Sequence, residues 1–306
     1  MTTTVTFNPA CRHHNAGMGH PERPERIEAV LAGLREPALR DQVTWVEARP
    51  ADRGALERVH SPRYLDALED TAQVGGGALD PDTIMGPRSW EAALASAGVA
   101  ITAVERVLAS GRGGGERTAF GATRPPGHHA LAERAMGFCL LNNVVIAARH
   151  ARHLGCERVL IVDWDVHHGN GTQALVEADP SIRFVSLHQY PWYPGTGAAD
   201  ERGVGNVFNV PRPPGLPRRT YVGDLRAAVR EALAGFRPDL LLISAGFDSL
   251  AGDPLGGFTL EPDDLAEWTV EFRGLVRPAP VVGLLEGGYR LDLLAAGARA
   301  HVRALA

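Results

Sequence analysis

The stretch VLIVDWDVHHGNGTQ, residues 159–173, joins an apolar run directly to a cluster of ionisable side chains. Its first four residues are aliphatic and predict a buried strand. Two aspartates and two histidines follow within residues 163–168. Ionisable groups are costly to bury unless they are paired or bind a metal, so buried strands do not normally end in such a cluster. The stretch therefore predicts a strand whose end carries a polar site.

The rest of the chain alternates short apolar runs with longer amphipathic stretches. The predicted strands are 117–122, 158–163, 182–188, 239–244 and 279–286. The predicted helices are 138–153, 170–178, 218–235 and 261–275, with a mostly helical N-terminal third at 22–35, 61–72 and 88–110. This alternation is typical of an α/β fold with a central, mostly parallel sheet flanked by helices. The glycine-rich stretch 110–117 is predicted to be a loop too short to separate domains, so we expect one domain over 1–306.

Composition limits the class of protein. Of the 306 residues, 44% are hydrophobic and 22% are charged, and the net charge is -5. No basic field indicates nucleic acid or an anionic membrane as a partner. The odd number and wide spacing of the cysteines at 11, 139 and 156 indicate neither a disulfide framework nor a cysteine-based zinc site. With no signal-peptide pattern and only short apolar runs, we expect a cytoplasmic protein.

An unusual polar or glycine-rich segment follows each of the five predicted strands. In chain order these segments are TRPPGHHA, WDVHHGNG, QYPWYPGTG, AGFDSLAGDPLGG and GGYR. The carboxyl ends of strands in an open parallel sheet lie at one edge, where ligands bind. Taken singly, each segment could be a turn, a solvated loop or a helix cap. Their common placement instead predicts one active site at the C-terminal strand ends.

The residue types in these segments suit metal-assisted hydrolysis. Asp165 and His167 are two residues apart and face the same side of an extended chain. With Asp248 they offer two carboxylates and one imidazole, which suit zinc at about 2.0–2.2 Å and leave one position open. His128 and His129 could accept and donate the reaction's protons. The hydroxyl of Tyr289, which follows two glycines, could stabilise an oxyanion.

Several long motifs resemble the zinc-dependent histone deacetylase family, whose relatives include acetylpolyamine amidohydrolases and acetoin-utilisation proteins. They are RPPGHHA, GFCLLNNVVIAARHA, VLIVDWDVHHGNGTQ, SLHQY with YPGTG, LLLISAGFDSLAGDPLGG and LEGGY. The resemblance is clearest over 117–290, and the segments 19–34 and 59–68 resemble the N-terminal part of the family. The motifs VDWDVHHGNGTQ and EGGY are more similar to the class II branch than to class I.

The resemblance implies a role for each matching residue. Asp165, His167 and Asp248 match the ligands of one Zn²⁺, in a site that could also accept Fe²⁺. His128 and His129 match the tandem catalytic histidines, the second being the general base. Asp163 and Asn170 match the residues that orient those histidines. Asn170 stands where class I enzymes have aspartate, so we expect His129 to be less basic here. Tyr289 matches the tyrosine that polarises the substrate carbonyl, which implies an active enzyme.

Further positions match the surroundings of the family's active site. A structural K⁺ site is implied at Asp163, Asp165, His167, Ser186 and Leu187. Gly137, Phe138 and Tyr193 match the walls of a substrate tunnel that suits a methylene chain ending in an amide. Arg26 resembles the arginine of an internal acetate channel, although an arginine on a solvated helix face is the alternative.

Smaller sequence differences from branches of the family indicate the class of substrate. The polyamine-specific branch of the family has a glutamate where this chain has Leu255, which favours the acylated lysine of a peptide or protein as substrate. An acetylpolyamine or another small acyl amine is the alternative, because Asp82 is the one candidate for a rim residue that binds a peptide backbone. All 31 basic residues are arginine, so apart from the N-terminus the substrate amine must come from another molecule.

Two other classes of function compete with this interpretation. An arginase-like ureohydrolase would hold two manganese ions through an Asp-x-His-x-Asp motif, but Gly169 stands where the second aspartate would be. A catalytically silent acyl-lysine-binding scaffold would not need both histidines and Tyr289. No direct nucleic-acid or membrane partner is expected, and the sequence leaves the oligomeric state open.

Overall fold

The structure, a computed structural model, describes residues 2–110 and 117–306, so most of the predicted loop at 110–117 lies outside the described residues. The strands are β1 (Thr3–Phe7), β2 (Val43–Glu47), β3 (Gly77–Asp80), β4 (Thr83–Met85), β5 (Thr118–Gly121), β6 (Val159–Asp163), β7 (Ile182–Gln189), β8 (Val207–Arg212), β9 (Leu240–Ala245) and β10 (Val281–Leu285). The α-helices are α1 (Glu25–Leu34), α2 (Arg53–Leu56), α3 (Pro62–Gln73), α4 (Ser89–Ser110), α5 (Asn143–His153), α6 (Asn170–Val176), α7 (Arg218–Leu233), α8 (Pro262–Val276) and α9 (Leu291–Leu305).

Eight of these strands form one sheet in the order β2-β1-β5-β10-β9-β6-β7-β8. Every pairing in this sheet is parallel. The predicted fold class, a single α/β domain with a parallel central sheet, is therefore confirmed. The extent of that domain, 1–306, stays a prediction.

Helices cover both faces of the sheet. On one face, apolar residues of α1, α7, α8 and α9 form a continuous buried cluster with the sheet, which includes the stacked indoles of Trp164 and Trp268. On the other face, α4, α5 and α6 bury their apolar residues against the same strands. Because both faces are covered, the central strands are apolar along their whole length, and β6 and β9 are entirely buried.

The helix α4 has the length and composition of a membrane span. Residues Ser89–Ala109 have a mean hydropathy of 1.5, and 61% of that stretch is buried inside the protein. The helix packs against β1, β5 and α5. Its apolar residues therefore contribute to the core, and the hydropathy is weak evidence for a membrane segment.

The three helices predicted in the N-terminal third are present as α1, α3 and α4, but this third also contains strands that were not predicted. It supplies β1 and β2 at one end of the sheet and a small antiparallel pair, β3 with β4. The sequence of β1, TTVTF, lacks an apolar run, and its threonines are buried because their hydroxyls find partners: Oγ1 of Thr3 lies 2.9 Å from Oγ1 of Thr118, and Thr6 donates to the carbonyl of Val99. Strand β2 is only half-buried along most of its length. The strand β8 and the helix α9 were also not predicted.

Candidate active site and metal centre

The candidate site lies at the carboxyl ends of four neighbouring strands. The segments that follow β5, β6, β9 and β10 carry, respectively, the tandem histidines, the Asp-x-His pair, Asp248 and Tyr289. These strands are adjacent in the order β5-β10-β9-β6, so their ends converge although the residues are far apart in sequence. All of these side chains are buried. The structure thus places the predicted residues at one edge of the sheet.

Asp165, His167 and Asp248 each offer one ligand atom, and these atoms lie within 4.8 Å of one another. Nδ1 of His167 lies 3.0 Å from Oδ1 of Asp165 and 3.3 Å from Oδ2 of Asp248. Oδ2 of Asp248 is buried and has no hydrogen-bond partner. A buried carboxylate oxygen without a donor needs a cation, and two carboxylates with one imidazole are a ligand set that Zn²⁺ accepts. These residues therefore fit a divalent ion.

The electrostatics of the three residues lead to the same conclusion. Burial, followed by repulsion from Asp165, raises the pKa of Asp248 to about 7. Burial opposes protonation of His167, but its hydrogen bond to Asp165 and the nearby carboxylate of Asp248 outweigh it and raise its pKa to about 10. Both pKa shifts show that added positive charge is favoured at this cluster, as expected of a cation-binding site.

Backbone groups fix the orientation of the two carboxylates. Val166 N–H donates to Oδ1 of Asp248 over 2.9 Å, and Gly287 N–H donates to Oδ2 of Asp165 over 2.8 Å. A Cβ atom at Gly287 would lie 2.0 Å from Oδ2 of Asp248. The first glycine of the GGY motif is therefore required by the close approach of the backbone to the carboxylates of Asp165 and Asp248.

The tandem histidines have different partners, and their pKa values are shifted in opposite directions. Nδ1 of His128 lies 2.9 Å from Oδ2 of Asp163, whereas Nδ1 of His129 lies 2.7 Å from Oδ1 of Asn170. Burial opposes protonation of His128, but Asp165 and Asp163 raise its pKa to about 10. Burial and the neighbouring His128 lower the pKa of His129 well below its usual value. His129 is therefore the neutral imidazole of the pair, with Nε2 free to accept a proton.

A cavity of about 190 Å³ leads to these groups. The predicted tunnel residues Gly137, Phe138, Tyr193 and Leu255 all line it, together with Asp82, His129, His167, Trp192 and Tyr289. The rings of Phe138 and Tyr289 meet edge to face with centroids 5.7 Å apart. Burial raises the pKa of Tyr289 well above its usual value, so its hydroxyl keeps the proton that it would donate.

The backbone of the tunnel wall has an unusual conformation. Gly137 and Phe138 have φ values of 55° and 67°. A Cβ atom at Gly137 would lie 2.3 Å from Cδ2 of His129. Asp82, whose alignment the sequence left uncertain, lies at this wall, where its Oδ1 accepts the Gly137 N–H over 3.1 Å. Glycine at 137 is thus required by both the local turn and the histidine behind it.

Arg26 is fully buried, so it does not lie on a solvated helix face. Its guanidinium donates to the carbonyls of Glu286 and Gly288 over 2.5 and 2.6 Å, and it lies 4.7 Å from the centre of the Tyr289 ring. Glu22 holds it from the other side, with Oε1 at 3.0 Å. The arginine is thereby fixed against the face of the Tyr289 ring.

The residues of the implied K⁺ site lie at the ends of two adjacent strands. Asp163 of β6 is aligned with Ser186 of β7, and both are fully buried. Oδ1 of Asp163 accepts the N–H of Asp165 over 3.0 Å, and Oγ of Ser186 lies 2.9 Å from Nδ1 of His188. The structure brings these residues together with Leu187 beside the Asp-x-His pair.

Sequence reasoning missed three residues at the site. Glu286 accepts the N–H groups of Gly127 and His128 through Oε2, over 2.6 and 3.1 Å, and its Oε1 is buried without a partner. Burial, partly offset by His128, raises the pKa of Glu286 to about 7. Trp192 lies at the mouth of the cavity, and Asp253 contacts the backbone of Tyr289. Glu286 lies in the LEGGY motif and Asp253 in LLLISAGFDSLAGDPLGG. Only their contacts with residues distant in sequence identify them as part of the site.

The geometry does not favour the two-metal alternative. A Cβ atom at Gly169 would lie 2.5 Å from Oδ2 of Asp163, so a longer side chain has no room there. Among the described residues, the Asp165–His167–Asp248 group is the one cluster found with metal-ligand geometry.

Comparisons with known proteins agree with this geometry. The histone deacetylase domain family matches residues 20–305. A protein of Synechocystis sp. named "Uncharacterized protein slr0245" is 43% identical, over 95% of each chain. The histone deacetylase-like amidohydrolase of Pseudomonas aeruginosa is 39% identical, over 90% of this chain and 73% of that protein. The human polyamine deacetylase HDAC10 is 36% identical over 90% of this chain, which spans 43% of that protein. The crystal structure of the HDA15 HD domain superposes with a TM-score of 0.93 at 36% identity, covering 99% of this chain and 90% of that one.

Proposed function

This chain belongs to the histone deacetylase family, and on that premise we propose that it hydrolyses the N-acyl amide on the side-chain amine of lysine in a peptide or protein. Two of the relatives are named as a histone deacetylase-like amidohydrolase and a polyamine deacetylase. The observation that carries the proposal is the convergence of the Asp165–His167–Asp248 cluster with His129 and Tyr289 at the inner end of one narrow cavity.

The metal that we propose is one Zn²⁺ per chain, held by Asp165, His167 and Asp248; Fe²⁺ is the alternative, since an oxygen-rich site accepts it too. When bound, such an ion polarises the scissile carbonyl and acidifies the attacking water. The unpartnered Oδ2 of Asp248 supports this assignment. We further propose a structural K⁺ at Asp163, Asp165, His167, Ser186 and Leu187, and an acetate-channel role for Arg26.

The protein's own side chains bind the substrate, transfer the protons and stabilise the developing charge. Phe138 and Tyr193 flank the methylene chain in the tunnel and exclude water from it. The neutral His129 accepts the proton of the attacking water at Nε2. The Tyr289 hydroxyl donates a hydrogen bond to the carbonyl oxygen as negative charge develops there. The carbon–nitrogen bond then breaks, and the leaving amine takes a proton from the histidine pair. Asp163 and Asn170 keep the two imidazoles in place.

The substrate class is the finer part of the proposal. Leu255 at the rim offers no charge to a polyamine, and Asp82 lies at the cavity wall where a peptide backbone would pass. Both observations favour acyl-lysine. An acetylpolyamine or another small acyl amine remains the second candidate, because one relative is named a polyamine deacetylase. A silent acyl-lysine-binding scaffold is disfavoured by the complete set of catalytic groups.

The experiment that tests the function compares hydrolysis rates on purified protein. The substrates are an acetyl-lysine peptide, acetylspermidine and longer acyl-lysine peptides, each with and without a chelator. We expect the acetyl-lysine peptide to give the highest kcat/KM and the chelator to abolish turnover. A preference for acetylspermidine would move the assignment to the second candidate. Binding of acyl peptide without turnover, at any metal content, would favour the scaffold.

The cellular location and the partners of the protein are also proposals. We propose a cytoplasmic location, which the free thiols of Cys11, Cys139 and Cys156 support, since thiols stay reduced there. The proposed partners are the acylated peptide, protein or small amine.

A further inference from the structure

The position of the Tyr289 hydroxyl depends in part on how the backbone around the tyrosine is held. Two glycines precede the tyrosine, and Gly288 has a φ of 122°. The backbone of this segment is held by charged groups from elsewhere in the chain. Asp165 accepts the N–H of Gly287, and Arg26 donates to the carbonyl of Gly288. The Tyr289 N–H itself is held by a third charged residue, Asp253.

Asp253 is a nearly buried carboxylate, 5% exposed, with three backbone donors. Its Oδ2 accepts the N–H groups of Tyr289 and Arg290 over 2.7 and 3.1 Å. Its Oδ1 accepts the N–H of Leu255 over 3.0 Å. The guanidinium of Arg290 forms its ion pair with Asp292. Hydrogen bonds to an ionised acceptor are roughly twice as strong as neutral ones, so Asp253 fixes the two segments firmly.

The contacts of Asp253 extend to the mouth of the tunnel. Leu255 lines the cavity, and its carbonyl accepts the indole N–H of Trp192 over 3.0 Å. Trp192 is 47% exposed at that mouth. A chain of hydrogen bonds therefore runs from an exposed rim residue through Leu255 and Asp253 to the backbone of the tyrosine.

We propose that Asp253 is a positioning residue that holds the Tyr289 hydroxyl at the reacting carbonyl and ties it to the tunnel rim at Leu255. The inference rests on the function proposed above, because it gives Tyr289 the role of oxyanion donor. Asp253 does not touch the substrate and acts through the tyrosine. A displacement of about 1 Å at such a donor is enough to reduce the rate by roughly 10²-fold.

The test is a double-mutant cycle of Asp253→Asn and Tyr289→Phe on the metal-loaded enzyme. Asparagine keeps the shape of aspartate but presents an N–H₂ group to one set of backbone donors. We expect Asp253→Asn alone to lower kcat by roughly 10–10²-fold with little change in KM. In the Tyr289→Phe background, the same substitution should lower kcat by less than about twofold. An equal loss in both backgrounds would overturn the inference.

A matched control is Asp264→Asn. Asp264 is also a buried carboxylate that accepts a backbone N–H, that of Glu261, but it lies at the start of α8 and outside the site. The Asp264→Asn substitution should lower the melting temperature and leave kcat unchanged. If Asp253→Asn does not fold, Asp253→Ser, which keeps one acceptor oxygen, takes its place in the cycle.

Hydrogen exchange gives a readout that does not depend on activity. In the wild-type protein the amides of Tyr289 and Arg290 should be protected, and Asp253→Asn should speed their exchange by at least about tenfold. Amides that exchange like those of an open loop in the wild type would overturn the inference. A wild-type protein that hydrolyses no acyl amine would instead contradict the proposed function, so the two failures are distinguishable.

Discussion

Nδ1 of His129 lies 2.7 Å from the amide oxygen of Asn170, whereas its neighbour His128 faces the carboxylate of Asp163. The two imidazoles are adjacent in sequence, with ring centroids 4.0 Å apart. The difference between an amide and a carboxylate partner helps to separate their charge states, since only the carboxylate stabilises an imidazolium strongly. The pair can therefore divide proton acceptance from electrostatic support.

This relationship predicts the effect of Asn170→Asp. A second carboxylate beside His129 should raise its pKa, because the charged form gains a partner. The acidic limb of the pH profile of kcat/KM should therefore move to higher pH, and at a fixed pH on that limb the activity should fall by about tenfold for each unit of the shift. The measurement is kcat/KM on one acyl peptide from pH 5 to 9. An unchanged acidic limb would exclude His129 as the group that must be neutral.

Metal binding is predicted to depend on the Asp248 carboxylate. Asp248→Asn removes one of two anionic ligands, so we expect less than one equivalent of metal after dialysis and loss of turnover. Wild-type protein should also melt at a higher temperature with metal than with chelator, because the ion binds only the folded state. Asp239→Asn is the control, since Asp239 accepts backbone N–H groups at the opposite end of β9. Full metal content in Asp248→Asn would contradict the assigned site.

Gly137 is predicted to be irreplaceable for activity. Gly137→Ala places a Cβ atom against His129, so kcat should fall by at least about tenfold. Gly155→Ala is a matched control, because Gly155 also has a positive φ, of 103°, but nothing lies within 4 Å of its Cβ position. Both variants should lose roughly 1 kcal/mol of stability from backbone strain. Only Gly137→Ala should lose activity, and equal activities of the two variants would refute the close packing of this wall on the histidine.

Glu286 is predicted to make the stability of the metal-free protein pH-dependent. Its pKa rises from 4.5 when unfolded to about 7 when folded, so between these values the folded state binds more protons than the unfolded state. Stability must then decrease as the pH rises from 4.5 to 7, by at most about 3 kcal/mol from this group. Glu286→Gln removes this contribution. Urea unfolding at pH 5 and pH 8 should show a smaller decrease for the variant, whereas parallel decreases would show that Glu286 does not titrate in this range.

The sequence was a good guide where structure is decided locally. The runs at β6, β9 and β10 were identified because strands buried on both faces are apolar throughout. The predicted helix 138–153 began too early, since α5 starts at Asn143, where the side chain of Asn142 caps it by accepting the N–H of Val145. Strands β1 and β2 were not predicted from the sequence. The threonines of β1 and the half-exposed residues of β2 interrupt the apolar pattern by which strands are recognised.

Placement of Asp165, His167 and Asp248 at one sheet edge also followed from the sequence, because a parallel sheet collects its strand ends on one side. Local sequence patterns therefore set the class of fold and the chemical groups available to the site. Which carboxylate holds which segment is set by tertiary contacts: Glu286 accepts the N–H of His128, Asp253 accepts the N–H of Tyr289, and Glu22 pairs with the buried Arg26. These contacts join residues from separate elements, and their energies depend on burial and distance, which no local pattern encodes.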